Sequence, residues 1–247
     1  MYLFFIRHFN DIDHIAPVVW KMHSENHPVE VYCMNLGYDI SSDYRLVYLR
    51  DLGVRVAYLY DNQKNDSGFL HSKLLSAILF FYSCNAFGPP SGKIASWLLG
   101  GLTSLPAKFG GLLFRLFRRL YYDSEWAVTF LVKARAKALC FDHVMPSLYV
   151  VNPLLEAAKR LSIPSIALPH GIYLYTNEDT KPKSTESRKV SKFNQYDYIV
   201  VPNQLRKSVL ENAGVEGKKI FVLGSAPSST LVLKWTKKSC SSWQSQS

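Results

Sequence analysis

Short apolar runs rich in β-forming residues alternate with stretches of helical spacing along much of this chain. The runs predict strands at residues 2–6, 29–34, 54–60, 138–141, 164–168, 198–201 and 219–223. Between them the spacing predicts helices over 12–24, 42–52, 153–161 and 204–213, with Gly53 and Gly214 as stops for the second and the last. Continuous apolar strands separated by helices predict an α/β fold: a Rossmann-like parallel sheet with helices on both faces. In such sheets ligands bind outside the carboxyl ends of the strands. That rule selects the polar residues that follow each run, among them His8, Asp142 and His170.

The stretch from 67 to 122 breaks the alternation. It contains no Asp or Glu, yet it carries Lys73, Lys93, Lys108, Arg115, Arg118 and Arg119 among bulky apolar residues. No uninterrupted apolar run reaches the ~20 residues that a membrane span needs. Within 109–122 the apolar side chains share one side of a helix, while Arg115, Arg118 and Arg119 cluster on part of the circumference. Two readings are open. One is a helix lying in a membrane interface with its arginines toward lipid phosphates. The other is a helical hairpin packed on the sheet with its arginines solvated. Either makes residues 67–137 a basic, apolar helical insertion in a domain of residues 1–226. Residues 227–247 are serine-rich and continue no strand–helix rhythm, the expected mark of a truncated or frameshifted end.

Composition sharpens this picture at two points. Hydrophobic residues make up 48% of the 247, against 19% charged, so a folded core is expected. A formal net charge of +10 calls for an anionic partner. Nucleic acid is disfavoured, because the basic residues lie among aliphatics rather than on a polar stripe with stacking aromatics. Cys33, Cys84, Cys140 and Cys240 are widely spaced, which predicts neither a zinc site nor a disulfide framework and suits a reducing compartment. The start, "MYLFFIRHFND", is too short in apolar residues for a secretory leader, so the expected location is cytoplasmic.

Several signatures are absent from the chain: G-x-G-x-x-G after the first strand, G-x-x-x-x-G-K-[ST], G-x-S-x-G and H-E-x-x-H. No metal and no cofactor are implied. His170, in Pro169-His170-Gly171, can take a proton from a hydroxyl or donate a hydrogen bond to a phosphate, and Gly171 allows close backbone approach. The competing reading is a strand end whose imidazole bonds a backbone carbonyl. His8 stands at the end of the first strand. Its neighbours Asp11 and Asp13 fit the favourable charges of a helix first turn better than catalysis. Asp142 holds an acceptor hydroxyl, orients a histidine or forms a turn. The charged segment 176–192 is either a lid or a solvated connection.

The segment "YDYIVVPNQLRKSVLENAGVEGKKIFVLGSA" resembles the hinge region of GT-B glycosyltransferase-like proteins. Pro169-His170-Gly171 is similar to the His-Gly of the CDP-glycerol glycerophosphotransferase and UDP-N-acetylglucosamine 2-epimerase-like branch, used in bacterial surface polysaccharide synthesis. The resemblance implies the acceptor-side half of a two-lobed transferase, inactive without a second, nucleotide-binding domain. It implies that His170 is the base or a phosphate contact and that His8, Asp142 and Gly171 line the acceptor cleft. Arg115, Arg118 and Arg119 would hold the inner membrane face or a lipid-linked acceptor. The partners implied are a sugar or polyol-phosphate acceptor, an anionic membrane and, through the second domain, a nucleotide-linked donor. A glycine-rich turn that many GT-B proteins carry after the first strand is missing from "RHFNDID". The alternative is a non-catalytic, basic peripheral membrane or interaction protein.

Overall fold

The protein is seen here as a computed structural model that describes residues 1–62, 73–74, 105–142, 146–169 and 191–223. Among these residues seven strands form one sheet: β1 (Tyr2–Ile6), β2 (Val29–Cys33), β3 (Arg55–Tyr58), β4 (Ala138–Asp142), β5 (Ser165–Leu168), β6 (Tyr198–Val201) and β7 (Ile220–Val222). Their order is β3-β2-β1-β4-β5-β6-β7, and every pairing is parallel. The helices are α1 (Phe9–Ser24), α2 (Tyr44–Asp51), α3 (Leu105–Tyr121), α4 (Ser124–Lys133), α5 (Val151–Arg160) and α6 (Gln204–Asn212). This is the Rossmann-like α/β arrangement. Its topological switch point falls between β1 and β4, where the chain leaves one half of the sheet for the other.

Side-chain alternation on the central strands explains why both faces need helices. Phe4, Ile6, Val31, Cys33 and Cys140 point to one side, where Ile12, Ile15 and Val19 of α1 and Leu46 and Leu49 of α2 cover them. Leu3, Phe5, Tyr32, Leu139 and Phe141 point to the other, under Trp126 and Phe130 of α4 and Leu154 and Leu155 of α5. Each large apolar side chain so buried contributes about 1.5–3 kcal/mol. A strand buried on both faces has no polar positions to spare, which is why these segments read as continuous apolar runs.

Local chemistry sets the element ends. Asp43 caps α2 by accepting from the backbone N–H groups of Arg45 and Leu46. Asn203 does the same for α6 through the Arg206 N–H. Gly53 and Gly214 sit at φ 91° and 90°, the left-handed region where a side chain would be strained, and there the helices before them stop. Most boundaries shift by one or two residues from expectation, and two of the shifts have a visible cause. Strand β3 ends at Tyr58, because the chain turns into a 3-10 segment at Leu59–Asp61. Helix α1 begins at Phe9 rather than residue 12, with His8 extended in the capping position. No helix among the described residues is long and apolar enough to cross a membrane.

Candidate functional site

The carboxyl ends of β1 and β4 lie side by side, in parallel register with Phe5 opposite Phe141. The two rings stack at 4.6 Å between centroids and form a rigid floor. One residue beyond β1, Arg7 turns its guanidinium toward Asp11 and Asp142. Its backbone N–H donates to Asp11 Oδ2 at 2.7 Å, and its Nε donates to the same oxygen at 3.0 Å. Nη2 donates to Asp11 Oδ1 at 3.1 Å and to Asp142 Oδ2, on the last residue of β4, at 2.5 Å. Asp11 and Asp142 are fully buried, and the Arg7 side chain is 13% exposed. His8 completes the group: its Nδ1 stands 3.2 Å from Asp11 Oδ1, and its side chain is 36% exposed.

The electrostatics follow from that packing. Two carboxylates share one guanidinium, so the buried trio carries a formal charge of −1. Burial, and then the nearby Asp142, hold the Asp11 carboxyl above its ordinary range, and the attraction of Arg7 only partly offsets them. Burial works against the charge of Arg7 as well, yet Asp11 and Asp142 together keep its proton bound more tightly than usual. Cys33 and Tyr196 also interact with this cluster. Burial pushes the Cys33 thiol up to about 12 and raises the Tyr196 phenol well above its ordinary value, so both stay neutral at physiological pH.

Asp142 ends a strand and anchors an arginine. Asp11 is more than a first-turn charge, because it ties α1 to the end of β1. Asp13 is separate from the site and pairs with Arg45, which is held by Asp43. His8 and Asp142 are brought to one edge, as the strand-end rule expects. Arg7 and Asp11, which follow the first strand in sequence but carried no site role there, join them. The available signal was an arginine directly after a strand with an aspartate four residues on. His170, Gly171 and most of the charged segment 176–192 lie outside the described residues. So do residues 227–247. Among the described residues no group of three or more His, Cys, Asp or Glu is arranged to hold a metal ion.

The three arginines of α3 are elsewhere. Phe117 is buried against Tyr60 and Tyr122, and Leu113, Phe114 and Tyr121 pack on the same core. The opposite side exposes Leu112, Leu116 and Leu120, at 56%, 48% and 54%, and the neighbouring Arg115 and Arg119. Arg118 is half-buried, with its guanidinium carbon 5.3 Å from the centre of the Phe114 ring. The helix is apolar on both sides: one side packs on the core and the other is exposed.

No protein-family model matches the chain, and no curated protein matches it. Among solved structures, the UDP-GlcNAc 2-epimerase of Neisseria meningitidis bound to UDP-GlcNAc is similar over 99% of this chain and 52% of its own, at 11% identity and a TM-score of 0.48. Anabaena HepE in complex with UDP and glucose is similar over 95% of this chain and 49% of its own, at 10% identity and 0.46. MurG of Acinetobacter baumannii is similar over 92% of this chain and 67% of its own, at 8% identity and 0.32. The chain spans about half the length of the epimerase and of HepE. At these identities the likeness is one of chain path. What makes this a Rossmann-like α/β protein is its own seven-stranded parallel sheet, with a charged cluster at the switch point.

Proposed function

We propose that the chain is the acceptor-side lobe of a GT-B type glycosyl or glycerophosphate transferase for bacterial surface polysaccharides. Its branch would be that of the CDP-glycerol glycerophosphotransferases and UDP-N-acetylglucosamine 2-epimerase-like proteins. The observation that carries the proposal is the Arg7–Asp11–Asp142 cluster with His8 at the β1–β4 switch point, the place where open parallel sheets take their ligands. A buried trio of net negative charge with a half-open imidazole suits the hydroxyls of a sugar or polyol phosphate better than the phosphates of a nucleotide. In this reading the nucleotide-linked donor binds a second lobe. His170, two residues past the end of β5, contacts the acceptor or its phosphate, with Gly171 allowing close approach.

Amide NMR of the 15N-labelled chain tests the assignment. A glycerol-phosphate oligomer is expected to shift the amides of Arg7, His8 and Asp142, whereas CDP-glycerol or UDP-N-acetylglucosamine alone is not. Nucleotide shifts at those three amides, with none from the polyol, would make this the donor site and sink the acceptor reading.

One observation favours a second reading, a non-catalytic peripheral membrane protein. The exposed Leu112, Leu116 and Leu120 lie beside Arg115 and Arg119 on α3, the composition of an interfacial helix. The same face would seat a transferase on the cytoplasmic side of the membrane, next to a lipid-linked acceptor. Each arginine near an anionic surface is worth about 1 kcal/mol. The doubly substituted Arg115→Glu/Arg119→Glu chain is therefore expected to lose at least tenfold in affinity for phosphatidylglycerol vesicles in a flotation assay. Equal flotation of the two chains would leave α3 no membrane role. Vesicle binding without any polyol shift at His8 would favour the non-catalytic reading over the transferase.

A further inference from the structure

The acceptor reading leaves open what, besides His170, meets the acceptor's phosphate. We infer that Tyr60 and Arg118 form a phosphate site between α3 and the segment that follows β3. The inference deepens the acceptor reading and rests on it for the identity of the ligand. The site itself rests on the residues alone.

Two orphaned donors carry it. Tyr60 is fully buried, and its Oη finds no hydrogen-bond partner among the described residues. Its ring meets Phe114 edge-on at 5.5 Å and Tyr122 edge-on at 4.9 Å, so the hydroxyl is held inside rather than turned to solvent. Phenylalanine would pack there as well, and a buried hydroxyl without a partner costs stability. Arg118 rests on the same Phe114 ring, with its guanidinium carbon 5.3 Å from the ring centre. Its Nε is buried and likewise finds no partner among the described residues. No carboxylate among those residues pairs with it, and residues 67–122 contain no Asp or Glu.

The two donors are neighbours. The charge of Arg118 acts on the Tyr60 phenol and opposes burial, which raises that phenol well above its ordinary value. Tyr149, in the turn before α5, and Cys33, the last residue of β2, act on the same phenol. The site therefore lies along the carboxyl edge of the sheet, the edge that carries Arg7 and Asp142. An O–H and an N–H that meet beside a positive charge call for a negative acceptor. Water would satisfy the hydroxyl and leave the charge. A phosphate group satisfies both, because its oxygens take the Tyr60 hydroxyl and the Arg118 Nε–H together. Arg118 is half-buried, so the anion enters at its exposed end and Tyr60 closes the inner end. Arg115 and Arg119 are exposed and stay with the outer surface of α3.

Titration calorimetry with inorganic phosphate at constant ionic strength tests the site. The wild type is expected to bind it, and Tyr60→Phe to bind at least about tenfold more weakly, the worth of one hydrogen bond to a charged group. No binding by the wild type, or equal affinity of the two chains, would overturn the inference. Tyr60→Phe deletes one oxygen and no bond within the protein. In phosphate-free buffer it is expected to unfold at the wild-type temperature or above. A lower temperature would give the hydroxyl a partner in the protein and also overturn the inference. Lys133→Gln removes a fully exposed charge of the same sign and is expected to bind phosphate like the wild type. A matching tenfold loss there would reduce the effect to net charge and leave no built site. Displacement of the phosphate separates this inference from the reading beneath it. A glycerol-phosphate oligomer is expected to displace it. Displacement by phosphatidylglycerol vesicles alone would uphold the site and assign it to a lipid headgroup. Displacement by neither would sink the acceptor reading and leave the phosphate site standing.

Discussion

Replacing Arg7 by methionine is expected to cost about 3–5 kcal/mol of folding stability, the range for removing one partner of a buried ion group. The guanidinium makes three side-chain hydrogen bonds to two buried carboxylates. Methionine fills much of the volume and leaves both carboxylates without that partner. The cost should depend on pH with a definite sign. In the wild type the Asp11 pKa is already raised above its unfolded value, by burial first and by Asp142 second. Its contribution to stability is therefore fully present below the unfolded value and lost as pH rises through the folded one. Without Arg7 that pKa rises further, so stability should fall over a wider pH span and by more. Urea unfolding from pH 4 to pH 8 measures this directly. Adding Asp11→Asn and Asp142→Asn to Arg7→Met should recover most of the loss at pH 7, since the triple variant buries no unpaired charge. A single variant within about 1 kcal/mol of wild type across that range would mean that solvent, not Arg7, satisfies the carboxylates.

That dependence also explains what could be read from the chain beforehand. Strands β1 and β6 are legible to the residue, because each is an unbroken apolar run. The start of α1 is not, because Phe9 and Asn10 carry no apolar period, and what holds that first turn is the bond between Arg7 and Asp11. The site divides in the same way. His8 and Asp142 are legible as polar residues at strand ends. Arg7 is not, because an arginine after a strand usually ends in solvent, and its partner Asp142 is 135 residues away. Only the adjacency of β1 and β4 brings the two together, and adjacency belongs to topology rather than to local pattern. The apolar side of α3 was legible as apolar. Its split into Phe117 against the core and an exposed leucine row depends on where Tyr60 and Tyr122 sit, which helical spacing alone does not contain.

Packing at α4 yields the other large effect. Trp126→Ala is expected to destabilise the fold by about 3–5 kcal/mol, the range for truncating a buried tryptophan. The indole is 2% exposed, stacked on Phe130 at 5.5 Å and edge-on to Tyr122 at 4.6 Å. From there ring contacts continue through Phe130 to Tyr32, through Tyr32 to Phe5, and through Phe5 to Phe141, near the carboxyl ends of β1 and β4. In the other direction Tyr122 meets Tyr60 and Phe117, the contacts that dock α3. Trp126 also donates from Nε1 to the Asn62 carbonyl at 2.7 Å, which ties α4 to the chain just past β3. Phenylalanine at 126 keeps most of the ring contact and loses that bond, so Trp126→Phe should cost far less, about 1 kcal/mol for the bond and a little more for the smaller ring. Guanidinium unfolding of the two variants separates packing from hydrogen bonding. A large gap between them assigns the stability to the ring contacts. Equal losses would instead assign it to the bond with Asn62, and the aromatic row would then be a consequence of the fold rather than a support of the site above it.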